Sequence, residues 1–264
     1  MKISVVMQSY LGDYPGSRKH PEFKFVRAVH SFISQTHENK ELIIVSDGCD
    51  KTKELYERLY SHDPRIKFAY ISKKQEKNMY EIDEVDGKKL KYHRGVPRGI
   101  GCVVAQGDLI TYMDSDDLML PHRLFDIHEA WKDKPDNIKW SSNPLRLFHK
   151  NSEVFVEKKT EGVTDFSKPL DIRKYGYDIA DPFFVNVAVP KGYICVSSPT
   201  LVHRKNIRAQ WKDTVRVYDK NDVYISGLHE DHQFLKDMQE TEGAGFRQES
   251  ASYVICHYSK LWDV

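Results

Sequence analysis

Three short β-type runs, each halted by a polar cluster, constrain the fold of this chain more than any other feature. Ile3–Met7 stops at Gln8-Ser9-Tyr10, Glu41–Val45 at Ser46-Asp47-Gly48, and Leu109–Met113 at Asp114-Ser115-Asp116-Asp117. Helical patterns separate them. Phe25, Val26, Val29, Phe32 and Ile33 recur at helical spacing, Leu55 and Leu59 lie four apart within Thr52–Tyr60, and Gly99–Ala105 reads as a short helix. Ile66–Ile71 adds another strand. Strands alternating with helices predict an α/β chain with a mainly parallel central sheet and helices on both faces.

The rest of the chain is less regular. Lys73–Tyr92 is charged and aperiodic, and reads as a loop or irregular hairpin. Trp140–Phe148, Val154–Val156, Val196–His203 and Ser252–His257 read as strands, and Asp231–Met238 as a helix. Asp165–Tyr193, rich in aromatics and prolines, reads as a mobile or substrate-shaping segment. A chain of 264 residues can form one large domain or two small ones. With no repeat, low-complexity tract or linker, a single domain over 1–264 is expected.

Composition narrows the function classes. Forty Lys and Arg face 39 Asp and Glu, a balance that excludes a strongly basic nucleic-acid coat or an acidic tail. The longest aliphatic stretches, such as Leu42–Val45, fall far short of the ~20 residues a spanning helix needs. Cys49, Cys102, Cys195 and Cys256 are widely spaced, which argues against structural zinc and a disulfide scaffold. The expectation is a protein with no integral membrane segment, in the cytoplasm.

In open parallel α/β sheets, ligands bind beyond the carboxyl ends of the strands, where all three polar clusters fall. Asp, Ser and Gly are also ordinary turn formers. The acidic cluster is harder to read that way, because adjacent carboxylates repel unless a cation sits between them. Mg²⁺ and Mn²⁺ prefer such oxygen ligands. The competing role is a helix N-cap, with Asp116 or Asp117 capping a helix that begins near Pro121. His229 and His232 are three apart, not four as in HExxH, so packing or exposure is expected of both. Lys88–Arg94 reads as solvated surface, and Trp140 and Trp211 as core.

An ordered set of motifs carries a family resemblance. Ser31-x3-Gln35-Thr36-x4-Glu41–Gly48 is followed by Arg98-x2-Gly101-x3-Ala105-x-Gly107-Asp108, then Tyr112–Asp117, Leu228-His229-Glu230-Asp231 and Tyr253–Ser259. In that order they resemble the GT-A-fold family 2 glycosyltransferases. The resemblance implies a Rossmann-like GT-A domain, with 1–120 as nucleotide-binding half and 121–264 as acceptor-binding half. Its expected partner is a nucleoside-diphosphate-sugar donor, a UDP-sugar, with the acceptor left open among glycan, protein, lipid-linked and nucleic-acid hydroxyls. The resemblance assigns Ser9, Tyr10, Asp47 and Arg98 to the base and ribose, and Asp114 and Ser115 to the donor. Asp116 and His257 would hold Mn²⁺ or Mg²⁺, Asp114 and Asp116 forming the DxD motif. Asp231 would be the general base. The chain departs from the family pattern at Gln8–Leu11 and at Gly99, both at the nucleotide pocket.

Sugar transfer needs neutralised leaving-group charge and a base for the acceptor proton, which these groups would supply. With no motif for a covalent nucleophile, inversion by direct displacement is expected. A sugar-phosphate nucleotidyltransferase would want a Gly-rich basic loop after the first strand, where Gln8–Asp13 has little of that character. A non-catalytic nucleotide-sugar-binding module would have no need of Asp231.

Overall fold

A computed structural model describes residues 1–13, 20–72, 82–143, 145–149, 183–187, 198–243, 245–248 and 252–255. In chain order, the first half runs β1 (Ile3–Ser9), α1 (Pro21–Ile33), β2 (Lys40–Ser46), α2 (Asp50–Leu59), β3 (Ile66–Tyr70), β4 (Ile82–Val85), β5 (Lys88–His93), α3 (Val96–Val104), β6 (Leu109–Asp114), β7 (Leu118–Met119) and α4 (Arg123–Trp131). There follow β8 (Trp140–Ser142), β9 (Leu145–His149), β10 (Phe183–Val187), a 3-10 turn at Ser198–Thr200, β11 (Leu201–Arg204), β12 (Thr214–Tyr218), β13 (Tyr224–Ser226), α5 (Glu230–Glu242), β14 (Phe246–Arg247) and β15 (Tyr253–Ile255).

The central sheet has the order β14-β8-β11-β6-β1-β2-β3. The run β6-β1-β2-β3 is parallel throughout, while β11 joins β6 antiparallel. Alternation along the strands explains why both faces are covered. Val5, Met7, Leu42 and Ile44 pack with Phe25, Val29 and Phe32 of α1 and Leu124, Ile127 and Trp131 of α4. Val6, Ile43, Val45 and Ile110 point the other way, to Trp211 and to Phe234, Leu235 and Met238 of α5. The expected doubly covered, mainly parallel sheet is the observed one. No helix among the described residues is long and apolar enough to cross a membrane.

Differences from the sequence reading fall outside this parallel core. Within 73–92, the described residues form the hairpin β4–β5, turned at Asp86 and Gly87 with φ of 51° and 69°, the left-handed pair that a tight hairpin turn requires. This hairpin joins β12 and β13 in a small sheet, β13-β12-β5-β4. The stretch 140–148 divides: β8 belongs to the central sheet and β9 to a third sheet, β10-β9-β15-β7. Pro144, which has no N–H to donate, lies between them in sequence. The strand expected over 196–203 begins only at Leu201, after the 3-10 turn. The strand expected at Val154–Val156 lies outside the described residues, as does most of the segment 165–193.

Candidate active site

The parallel register sets the three polar clusters side by side, with Ser9 opposite Ser46 and Gln8 opposite Asp114. Ser9 is buried, its hydroxyl 3.3 Å from Thr52 Oγ1, and its carbonyl accepts from Asp47 N–H at 3.1 Å. The Asp47 carboxylate lies 3.4 Å from Arg94 Nη2, and burial raises its pKa despite that cation. Tyr10 is half-buried, with its ring packed close against Gly12.

Arg98 is the hub of the site. It projects from α3, which sits so close to β1 that a Cβ on Gly101 would collide with Val6. The buried guanidinium donates to Gln8 Oε1 at 3.2 Å, Asp114 Oδ1 at 3.1 Å and Glu230 Oε1 at 3.1 Å, and lies over the Trp211 ring. Burial opposes its charge, but Asp231, Asp114 and Glu230 outweigh burial and raise its pKa.

Beyond β6 the acidic residues divide their work. Asp117 is buried and its Oδ2 accepts from the Tyr253 hydroxyl at 2.9 Å, while that hydroxyl accepts from Asp114 N–H at 3.0 Å. Arg27 donates to the Asp116 carbonyl, tying the turn to α1. Neither Asp116 nor Asp117 caps a helix, contrary to the capping role weighed above: α4 starts at Arg123, with His122 as N-cap. Asp114, Ser115 and Asp116 are half-buried at the carboxyl end of β6. Among the described residues these carboxylates do not form a closed three-ligand group. Hard cations are commonly held by one or two carboxylates and completed by substrate phosphates, so the oxygen donors of Asp114 and Asp116 fit Mg²⁺ or Mn²⁺.

Helix α5 delivers the second acidic pair. Gly227 has φ +95° and no room for a Cβ against the Val215 carbonyl, and from there the chain turns into the helix. Asp231 Oδ2 accepts from Ser198 N–H at 3.2 Å, and buried Oδ1 has no hydrogen-bond partner among the described residues. Burial pushes the Asp231 pKa up to about 6, with Glu230 and Asp114 adding to the rise and Arg98 opposing it. Burial also works to raise Glu230, but His229 and Arg98 bring it down to about 2. A pocket of about 420 Å³ opens beside Asp231, walled by Arg216, Tyr224, Leu228, His229 and His232.

The structure thus brings Arg98, Asp114 and Glu230 into contact and sets Ser9 and Asp47 on the adjoining strand ends. His257 lies outside the described residues. The sequence reading missed His93 and Arg94: the run 88–94 was expected to be solvated, yet both are only 5% exposed, with Arg94 on Asp47 and His93 near Glu230. Their signal was position, at the end of a strand leading into α3. Tyr253 was read only as part of a motif.

Known proteins share part of the sequence and the overall fold. Residues 24–78 match the family model "Glycosyl transferase family 2". An uncharacterized glycosyltransferase of Nostoc sp. is 23% identical over 163 residues, covering 61% of this chain and 42% of that protein. Another, of Haemophilus influenzae, is 28% identical over 123 residues, covering 46% and 39%. The chain therefore spans about two fifths of the length of these relatives. Among solved structures, S. aureus TarS 1–349 superposes with TM-score 0.54 at 17% identity, over 97% of this chain and 60% of that one. Its complex with UDP-GlcNAc gives 0.55 over 97% and 58%. The fold is GT-A, and the likeness to family 2 glycosyltransferases rests on sequence over 24–78 and on fold over nearly the whole chain.

Proposed function

We propose that the chain is an inverting glycosyltransferase that moves a sugar from a nucleoside-diphosphate sugar to an acceptor hydroxyl in the cytoplasm. The observation that carries this reading is the placement of Asp231, buried beside an open pocket and next in the chain to Glu230, which Arg98 ties to Asp114 at the end of β6. Its raised pKa suits a base working near neutral pH. Ser9, Tyr10, Asp47 and Arg98 hold base and ribose, and Asp114 and Ser115 the diphosphate end of the donor. Asp116 and His257 would hold Mn²⁺ or Mg²⁺, and the ion would supply positive charge to the departing diphosphate. TarS has been solved with UDP and UDP-GlcNAc, which favours a UDP-sugar here. In this reading 1–120 carries the nucleotide and 121–264 the acceptor.

Donor turnover assayed with and without EDTA tests the proposal. Expected are hydrolysis of the donor, or transfer from it, that EDTA stops and Mn²⁺ restores. Pyrophosphate formed from nucleoside triphosphate and sugar phosphate would replace the reading with a nucleotidyltransferase. Tight donor binding with no turnover would leave a binding module.

A further inference from the structure

We propose that His93, His229 and Glu230 form a second cation site, selective for a borderline divalent ion such as Zn²⁺ and distinct from the carboxylates after β6. The site goes beyond the glycosyltransferase reading and does not depend on it. His93 ends β5, while His229 and Glu230 open α5, and one ligand atom from each lies within 4.8 Å of the other two. His93 Nδ1 is 3.5 Å from Glu230 Oε2, and His229 Nδ1 is 2.7 Å from the same oxygen. The imidazole rings lie with centroids 4.2 Å apart, tilted by 47° to one another. Zinc–ligand bonds of ~2.0–2.1 Å in a tetrahedron separate ligand atoms by about 3.4 Å. The His93 spacing already fits, and His229 needs to retreat by less than about 1 Å as its close contact with Glu230 opens to admit the ion.

Charge balance alone does not account for this cluster. Glu230 already receives Arg98 on Oε1, so two imidazoles on Oε2 exceed what neutralisation requires. His93 is 5% exposed, and Glu230 Oε2, the oxygen that both imidazoles face, is buried with no hydrogen-bond partner among the described residues. Nitrogen donors suit Zn²⁺ or Co²⁺, whereas the oxygen-only set at Asp114 and Asp116 suits Mg²⁺ or Mn²⁺. Arg98 on the outer carboxylate oxygen is the kind of support that orients a metal ligand. His229 lines the pocket beside Asp231, which offers the ion a path in and water as a fourth ligand. Occupation would tie β5 to the first turn of α5 and stiffen the wall that holds Asp231.

Titration of metal-free protein with Co²⁺ tests this, because tetrahedral Co²⁺ absorbs strongly in the visible. Expected is one Co²⁺ per chain with that absorption, displaced by Zn²⁺ and unchanged in Asp116→Ala. His93→Gln should weaken it by more than about tenfold, since even loss of a supporting group costs a metal site that much. His229→Gln, at the more exposed ligand, gives the same readout if His93→Gln does not fold. No absorption in the wild-type chain, absorption that persists in both histidine variants, or its loss in Asp116→Ala would overturn the proposal.

Discussion

Arg98 donates to Glu230 Oε1 at 3.1 Å, linking α3 to the first turn of α5 across 132 residues of sequence. The same guanidinium holds Asp114, so one cation serves acidic groups delivered by β6 and by α5. A buried pair of this kind costs desolvation on both sides, and its removal costs more than its formation gains.

Arg98→Met should therefore destabilise the fold by about 3–5 kcal/mol, because Glu230 and Asp231 would remain buried without their cation. Arg98→Lys should recover part of the loss, keeping the charge but not the fork that reaches three acceptors. Urea unfolding at pH 7 measures both. A cost below about 1 kcal/mol for the Met variant would show that the network does not hold α5 in place.

Asp231→Asn should reduce transfer by about two to four orders of magnitude and leave donor affinity unchanged, since a base acts on the acceptor. In the native enzyme the rate should fall as pH drops through about 6, where Asp231 takes up its proton. The stability effect has the opposite sense. The folded-state pKa lies above the unfolded one, so this group's contribution is greatest below about 4 and declines as pH rises through about 6. Asp231→Asn should be more stable than wild type at pH 8, and the gap should close toward pH 4. Transfer at a near wild-type rate by the Asn variant would refute the proposed mechanism.

Asp116→Ala should abolish the metal-dependent part of nucleotide binding and leave the fold intact, because the residue is only half-buried, in the turn beyond β6. Asp47→Ala should weaken UDP itself, with or without metal. Thermal shift with UDP, with and without Mn²⁺, separates the two effects. Unchanged UDP affinity in the Asp47 variant would move the base elsewhere.

Glu41 sets an acid limit on stability. Its buried carboxylate accepts from Ser4 Oγ at 2.6 Å and from Lys67 Nζ at 2.7 Å, with Lys2 Nζ also at 2.7 Å. Burial works against the charge, but Lys2 and Lys67 bring the pKa down to about 2. Its contribution is complete above the unfolded value near 4.5 and disappears as pH falls through about 2. Glu41→Ala should cost about 2 kcal/mol at pH 7, from donors left without an acceptor. The deficit should shrink in acid, and a deficit independent of pH would assign the loss to packing.

The sequence by itself determined the parallel core. The runs 3–7, 41–45 and 109–113 announce strands because two-sided burial selects apolar residues at successive positions, a local and repetitive signal, while 66–71 is the half-buried edge strand. Helices α1 and α2 were legible through spacing, and the strand-end location of Ser9, Asp47 and Asp114 followed from topology alone. Tertiary structure decided what those polar groups touch. His93 and Arg94 belong to a run that reads as solvent-facing, yet the β5–β12 pairing and the approach of α3 bury them near Glu230 and Asp47. Asp117 looked like a helix cap until Tyr253, 136 residues away, took its carboxylate. A hydrophobic period is written along a few consecutive residues. The environment of a charge is set by partners on other elements, for Glu230 and Asp117 more than a hundred residues distant, and only folding brings them within hydrogen-bond reach.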